Sequence, residues 1–117
     1  MRTFLNEIKD RVDLSDDWSV KFSSLIIDDN KTGYDAMTVL DFMIEHVDED
    51  NDDKLIIECS ETDDTETYSL KWFVELLESH KNKKVIFNII DNDNLIEFKF
   101  DSYDIGHSDK TILITLK

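Results

Sequence analysis

The sequence predicts a single α+β domain over residues 1–117, with about three helices packed on one face of a mixed or mainly antiparallel sheet. Three observations carry this expectation. Apolar residues recur at helical spacing in three stretches and alternate at period two in others. The last third reads as a three-strand meander whose short connections make its strands antiparallel neighbours. No Pro and only two Gly, Gly33 and Gly106, leave little flexible linker to divide 117 residues into two units.

The first helix is expected over residues 3–12, where Phe4, Leu5, Ile8 and Val12 share a side opposite Asn6, Lys9 and Asp10. Trp18, Val20 and Phe22 then alternate with Ser19, Lys21 and Ser23, the pattern of a half-buried strand. Leu25 and Ile27 fall out of phase with it, so a bulge or kink is expected near Ser23-Ser24. A turn follows over Asp28 to Gly33. A second helix is expected next. Thr38 fits an N-cap with Asp41 three residues on, and Met37 and Phe42 occupy the staple positions. A start at Asp35 also fits, because Ala36, Val39, Leu40, Met43 and Val47 form one stripe. Asp41, Glu45 and Asp48 would then share the opposite face.

Lys54 to Cys59 is apolar on both faces, as in a central strand. After an acidic turn from Glu61 to Glu66, a third helix is expected from about Ser69 to His80, with Leu70, Phe73, Val74 and Leu77 as its core stripe. Trp72 and Leu76 extend the apolar arc beyond that stripe. Lys81, Lys83 and Lys84 follow, cations that suit a helix C-terminus. Strands are then expected at Val85 to Ile90, around Ile96 to Phe100, and at Ile112 to Leu116. A turn at Asp91 to Asn94 and a loop containing Gly106 separate them.

Charge points to function more directly than periodicity does. The formal net charge is −15, and the stretch from Asp41 to Glu66 holds twelve acids against the single base Lys54. That leaves eleven of the fifteen net negative charges in under a quarter of the chain. Carboxylates so close repel one another in the compact state, a cost that a surface meeting a basic partner would recover. The expected partner-binding residues are Asp41, Glu45, Asp48, Glu49, Asp50, Asp52, Asp53, Glu61, Asp63, Asp64 and Glu66. Trp72 is the aromatic candidate beside them, since Trp is enriched at interface hot spots. Burial of Trp72 with Leu76 under a loop or the first helix is the competing, favoured reading.

The same charge disfavours nucleic acid and anionic membranes as direct partners, because phosphate binding needs Lys and Arg. Seven Phe and 40% hydrophobic residues are too many for a disordered acidic tail. The lone Cys59 cannot form an internal disulfide and reads as a small buried hydrophobe. Charged residues among the first dozen leave no signal-peptide core, and no apolar run approaches the ~20 residues of a membrane span. The expectation is a soluble cytoplasmic protein.

Two motifs resemble metal sites and depart from them. Asp48 to Leu55 matches the opening of an EF-hand loop, but Asp53 replaces the turn glycine and Cys59 replaces the final bidentate Glu. Glu97-Phe98-Lys99, with Asp91 and Asp93 upstream, resembles a metal-dependent nuclease constellation, yet those aspartates lie too close in sequence. His46, His80 and His107 show no ligand spacing. No catalytic residue, metal or cofactor is assigned, and the protein is not expected to be an enzyme.

Leu5, Glu7-Ile8-Lys9, Val20-Lys21-Phe22-Ser23 and the terminal Ile114-Thr115-Leu116-Lys117 resemble elements of small acidic phage anti-CRISPR proteins. The similarity covers about a fifth of the chain, and the C-terminal meander departs from that group's pattern. It implies an antagonist of a nucleic-acid-processing enzyme and carries over no binding residue beyond the acids. The expected function is therefore binding and inhibition of a basic nucleic-acid-binding or nucleic-acid-cleaving protein, of anti-CRISPR or anti-restriction type. An immunity protein neutralising a nuclease toxin is the alternative, followed by a small metal-dependent nuclease or a calcium-responsive module. Calorimetry with Ca²⁺ and Mg²⁺ is expected to show no tight stoichiometric site. A sub-micromolar isotherm would overturn that expectation.

Overall fold

Strand pairing, more than helical spacing, organises this chain. The computed structural model describes residues 2–28, 36–64, 66–91 and 93–117. The elements run α1 (Arg2–Arg11), β1 (Ser19–Asp28), β2 (Ala36–Asp48), β3 (Lys54–Thr62) and β4 (Tyr68–Ser69). They continue with α2 (Leu70–Ser79), β5 (Lys84–Asp91), β6 (Asn94–Phe98), β7 (Phe100–Gly106) and β8 (Thr111–Leu116). From Asp29 onward, the turn expected before Ala36 lies outside the described residues, as do Thr65 and Asn92 in the two later turns.

The fold class departs from expectation. The protein is mostly β, with two helices among the described residues instead of three, and its eight strands form one curled mixed sheet. The strand order is β6-β5-β3-β2-β1-β8-β7, with β4 paired to the end of β1. Two of the pairings, β1 with β8 and β3 with β5, are parallel.

The second expected helix is strand β2, antiparallel to β1 on one side and to β3 on the other. Its sequence carries both periodicities. Phe42 and Ile44 fall on the core side as the helical stripe never required, while Asp41 and Met43 alternate with them outward. β-branched Ile44 and Val47 also suit a pleated surface. Pairing with β1 over 36–42 and with β3 over 41–48 gives the segment a ladder along its whole length, and this decides against the helix. Thr38 therefore pairs with Ile26 inside a strand and does not stand at a helix start.

The bulge expected near Ser23-Ser24 is absent: β1 keeps an unbroken register from Phe22 to Asp28 against β2. It lies instead on β2, where the register shifts between Ile44 and His46. Beyond Phe22↔Phe42 the edge of β1 is taken by β4, with Val20 opposite Tyr68. The backbone N–H of Ile44 then donates to the Tyr68 hydroxyl at 2.7 Å, which satisfies a donor at the bulge.

The C-terminal meander is also corrected. β5 and β6 form one hairpin and β7 and β8 another, at opposite edges of the sheet. Only Lys99 separates β6 from β7, and its backbone exchanges two hydrogen bonds with Lys117, at 3.0 and 2.9 Å. One nearly continuous strand thus serves both edges, which forces the sheet to curl. The bulges on β2 and at Phe100/Ser102 on β7 add local twist.

One cluster of buried side chains joins both helices to the sheet. Phe4 on α1 meets Tyr103 edge-on at 5.0 Å, and Phe22 on β1 meets Phe73 on α2 at 5.3 Å. Phe22 also meets Phe87 on β5 at 5.6 Å, so three elements converge on one ring. Cys59 is fully buried, and burial pushes its thiol up to about 12. A Lys9–Glu78 ion pair links the helices, and the Lys9 ammonium holds the Glu78 carboxyl below its ordinary range.

Replacing Tyr68 with Phe keeps the ring in place and removes the acceptor for Ile44. The expected loss is about 1–2 kcal/mol in urea unfolding, the cost of stranding a half-buried N–H. Unchanged stability would show that solvent already serves that donor.

Candidate functional site

The acidic stretch folds into the β2–β3 hairpin and its two ends. Register places its carboxylates as follows. Asp41 opposes Thr62, His46 opposes Glu58 and Asp48 opposes Ile56, all on the face away from the buried Phe42, Ile57 and Cys59. Glu45 occupies the bulge, where its Oε1 accepts a hydrogen bond from Ser60 Oγ at 2.6 Å. Asp41, Glu45, Glu58 and Asp48 thus line the outer face of the hairpin, spaced by strand geometry instead of helix turns.

Asp48, Glu49, Asp50, Asp52 and Asp53 gather at one end of this strip, and Glu61, Asp63 and Asp64 at the other. The ends are separated by the length of β3, roughly 26 Å at strand rise. The expected single patch flanking a helix is therefore an elongated strip with two dense ends. Glu61 leans to the core side, opposite Phe42, where it borders the apolar rim formed by Ile89, Ile96 and Phe98. Glu66 is exposed just before β4.

Side chains hold the connecting turn in shape. Asp48 Oδ1 accepts from the Asp50 N–H at 3.0 Å, and Asn51 Oδ1 accepts from the N–H groups of Asp53 and Lys54. A strand follows this turn directly, so residues 48–59 do not wrap into a calcium loop. Among the described residues no three His, Cys, Asp or Glu groups converge in a way that could hold a metal ion.

The turn is tied to the end of α2. His80 Nε2 and Glu49 Oε1 lie 2.8 Å apart, Lys83 Nζ donates to the Glu49 carbonyl at 2.8 Å, and the Lys84 N–H donates to the Asp53 carbonyl at 2.9 Å. Lys83 and Lys84, two of the three lysines expected to complement the helix C-terminus, lie beyond the last turn of α2 and bond to the hairpin. The Ser69 side chain caps the other end of α2, accepting from the Trp72 N–H.

Trp72 and Leu76 part company. Leu76 is buried, whereas Trp72 remains 38% exposed, with one side against Tyr68 and Phe73 at centroid distances of 6.1 and 6.4 Å. Their full burial together is therefore corrected for Trp72, which lies on the rim of α2 with part of its ring open to solvent. Beside it a cleft of about 270 Å³ is lined by Val47, Glu49, Trp72, Glu75, Leu76 and Ser79. Glu58 and Glu75 join the expected acids at this surface. Glu58 faces outward although its strand is apolar on both faces elsewhere, and Glu75 lies outside the acidic stretch, three residues after Trp72 on α2.

Another concavity, about 580 Å³ between α1 and β7, mixes Glu7, Asp101 and Asp104 with Arg11 and His107, and contains none of the expected residues. Among the described residues no helix is long and apolar enough to cross a membrane. Comparisons with protein-family models, curated proteins and solved structures find no significant match.

Trp72→Ala is expected to cost about 1–2 kcal/mol in thermal or urea unfolding, less than the roughly 3–5 kcal/mol of a fully buried aromatic. A loss in that larger range would return Trp72 to the core.

Proposed function

We propose that this protein binds and inhibits a basic nucleic-acid-binding or nucleic-acid-cleaving protein in the cytoplasm, in the anti-CRISPR or anti-restriction manner. The β2–β3 hairpin is the docking element, and it presents carboxylates where the partner expects phosphates. One observation carries the reading. Of the twelve acids between Asp41 and Glu66, only Glu49 meets a basic side chain among the described residues, with His80 Nε2 at 2.8 Å from its Oε1. The others have no basic side chain at ion-pair distance among the described residues, and most are exposed.

Physical chemistry supports the match. Asp41, Glu45, Asp48 and Glu58 on the outer face join the two dense acidic ends into one extended negative strip, the charge that a basic nucleic-acid-binding groove would meet. Such a strip attracts a basic groove at long range and speeds association. The turn at Asp48–Asp53 is held by its own hydrogen bonds and by the anchor to α2, so little ordering is required on binding.

The test is capture from the native host followed by charge removal. The expected captured protein is nucleic-acid-binding, and added DNA should displace it. Changing Asp50, Asp52 and Asp53, then Asp63 and Asp64, to Asn should weaken binding by at least about tenfold while leaving the fold intact or slightly stabilised. Raising salt from about 50 to about 200 mM should weaken the native protein more than these variants. Equal loss on neutralising the scattered acids Asp10, Asp101 and Asp109 would mean that net charge alone matters, and the hairpin site would fall.

A further inference from the structure

We infer that the cleft between α2 and the β2–β3 hairpin is a seat for an arginine side chain of the basic partner, with Trp72 as its stacking surface. This deepens the docking proposal above and rests on it.

The chemistry of the cleft selects the occupant. Val47, Leu76 and the partly exposed Trp72 give it apolar side chains, and Glu49, Glu75 and Ser79 give it polar ones. Tyr68 and Phe73 lie beside the indole in tilted ring contacts at 6.1 and 6.4 Å. Glu49 uses Oε1 with His80, which leaves Oε2 as an acceptor among the described residues. Glu75 follows Trp72 by three residues on one helix and so lies over the same face.

A neutral apolar ligand would leave two carboxylates against it, and an anion would be repelled. A cation with an apolar stem satisfies both the apolar and the acidic side chains. Between the two basic side chains the cleft favours arginine. Its guanidinium is planar, sheds water more readily than an ammonium, stacks on an aromatic face and bonds carboxylates in a fork. Lysine would meet the charge and leave the indole poorly used. The hairpin acids then draw the partner in, and the cleft reads one of its side chains.

Hexa-arginine and hexa-lysine peptides, titrated into the full-length protein, separate charge from stacking. The expected result is hexa-arginine binding at least threefold tighter than hexa-lysine. The Trp72 indole N–H resonance should move with hexa-arginine while that of the buried Trp18 stays in place. Trp72→Leu should bring hexa-arginine down to the level of hexa-lysine, and Glu75→Gln should weaken hexa-arginine severalfold. Should Trp72→Leu fail to fold, the resonance shift and Glu75→Gln still decide the matter. Equal affinities for the two peptides, or an unmoved Trp72 resonance, would overturn the arginine seat. Loss of both peptides on neutralising the hairpin acids would in that case still leave the docking surface standing. An arginine preference at Trp72 together with capture of no nucleic-acid-binding protein would keep the seat and sink the inhibitor reading.

Discussion

The Phe22 ring is the contact on which the rest of the structure depends. It projects from β1, the strand that β2, β4 and β8 all use as a pairing template. Phe73 brings α2 to it and Phe87 brings β5, so helix and sheet meet at one side chain. Parallel pairing of β1 with β8 requires the chain to close a long loop before any hydrogen bond rewards it. That entropy is recovered by burying Val20, Phe22, Ile112 and Ile114 in one layer. Without that layer the last strand has no template, and the edge shared by β6 and β7 has nothing to close against.

The charged surface follows from this arrangement. Because β1 pairs with β4 at its start, β2 must leave it after Phe42, and the bulge at Ile44/His46 accommodates the departure. The bulge turns Glu45 toward Ser60 and keeps Ile44 and Val47 on the inner side. The hairpin therefore carries acids outward although its inner face is core. The bond from Ile44 to Tyr68 and the contacts of Glu49 with His80 and Lys83 fasten it at two points. Mutual repulsion among the carboxylates works against this element, and those fastenings hold it in one shape.

Trp72 shows how position and burial separate. It shares an apolar arc with Leu76 on α2, and one residue of the pair is covered while the other faces a cleft. Helical spacing orders side chains around an axis and says nothing about how far a neighbouring element reaches. Here α1 and the sheet cover the side bearing Leu70, Phe73, Val74 and Leu77, and the arc beyond it thins out at Trp72.

The sequence by itself determined both surviving helices, the Lys54–Cys59 strand, the burial of Cys59 and the concentration of acids. In each, one periodicity stands without a rival, or composition alone decides. The Ser69 start of α2 was equally legible, because a serine directly before an apolar helical stripe is a cap signal. Residues 36–48 were not legible. Their apolar positions fit a helix stripe and a strand alternation alike, and only hydrogen bonds offered by β1 and β3 select the strand. That choice in turn decides which carboxylates share a face, including Glu58, which pairing with His46 points outward. The split of the expected meander onto two edges was hidden for the same reason. Pairing between distant strands is a property of the closed sheet, and no local pattern in a chain records which neighbour a strand will find.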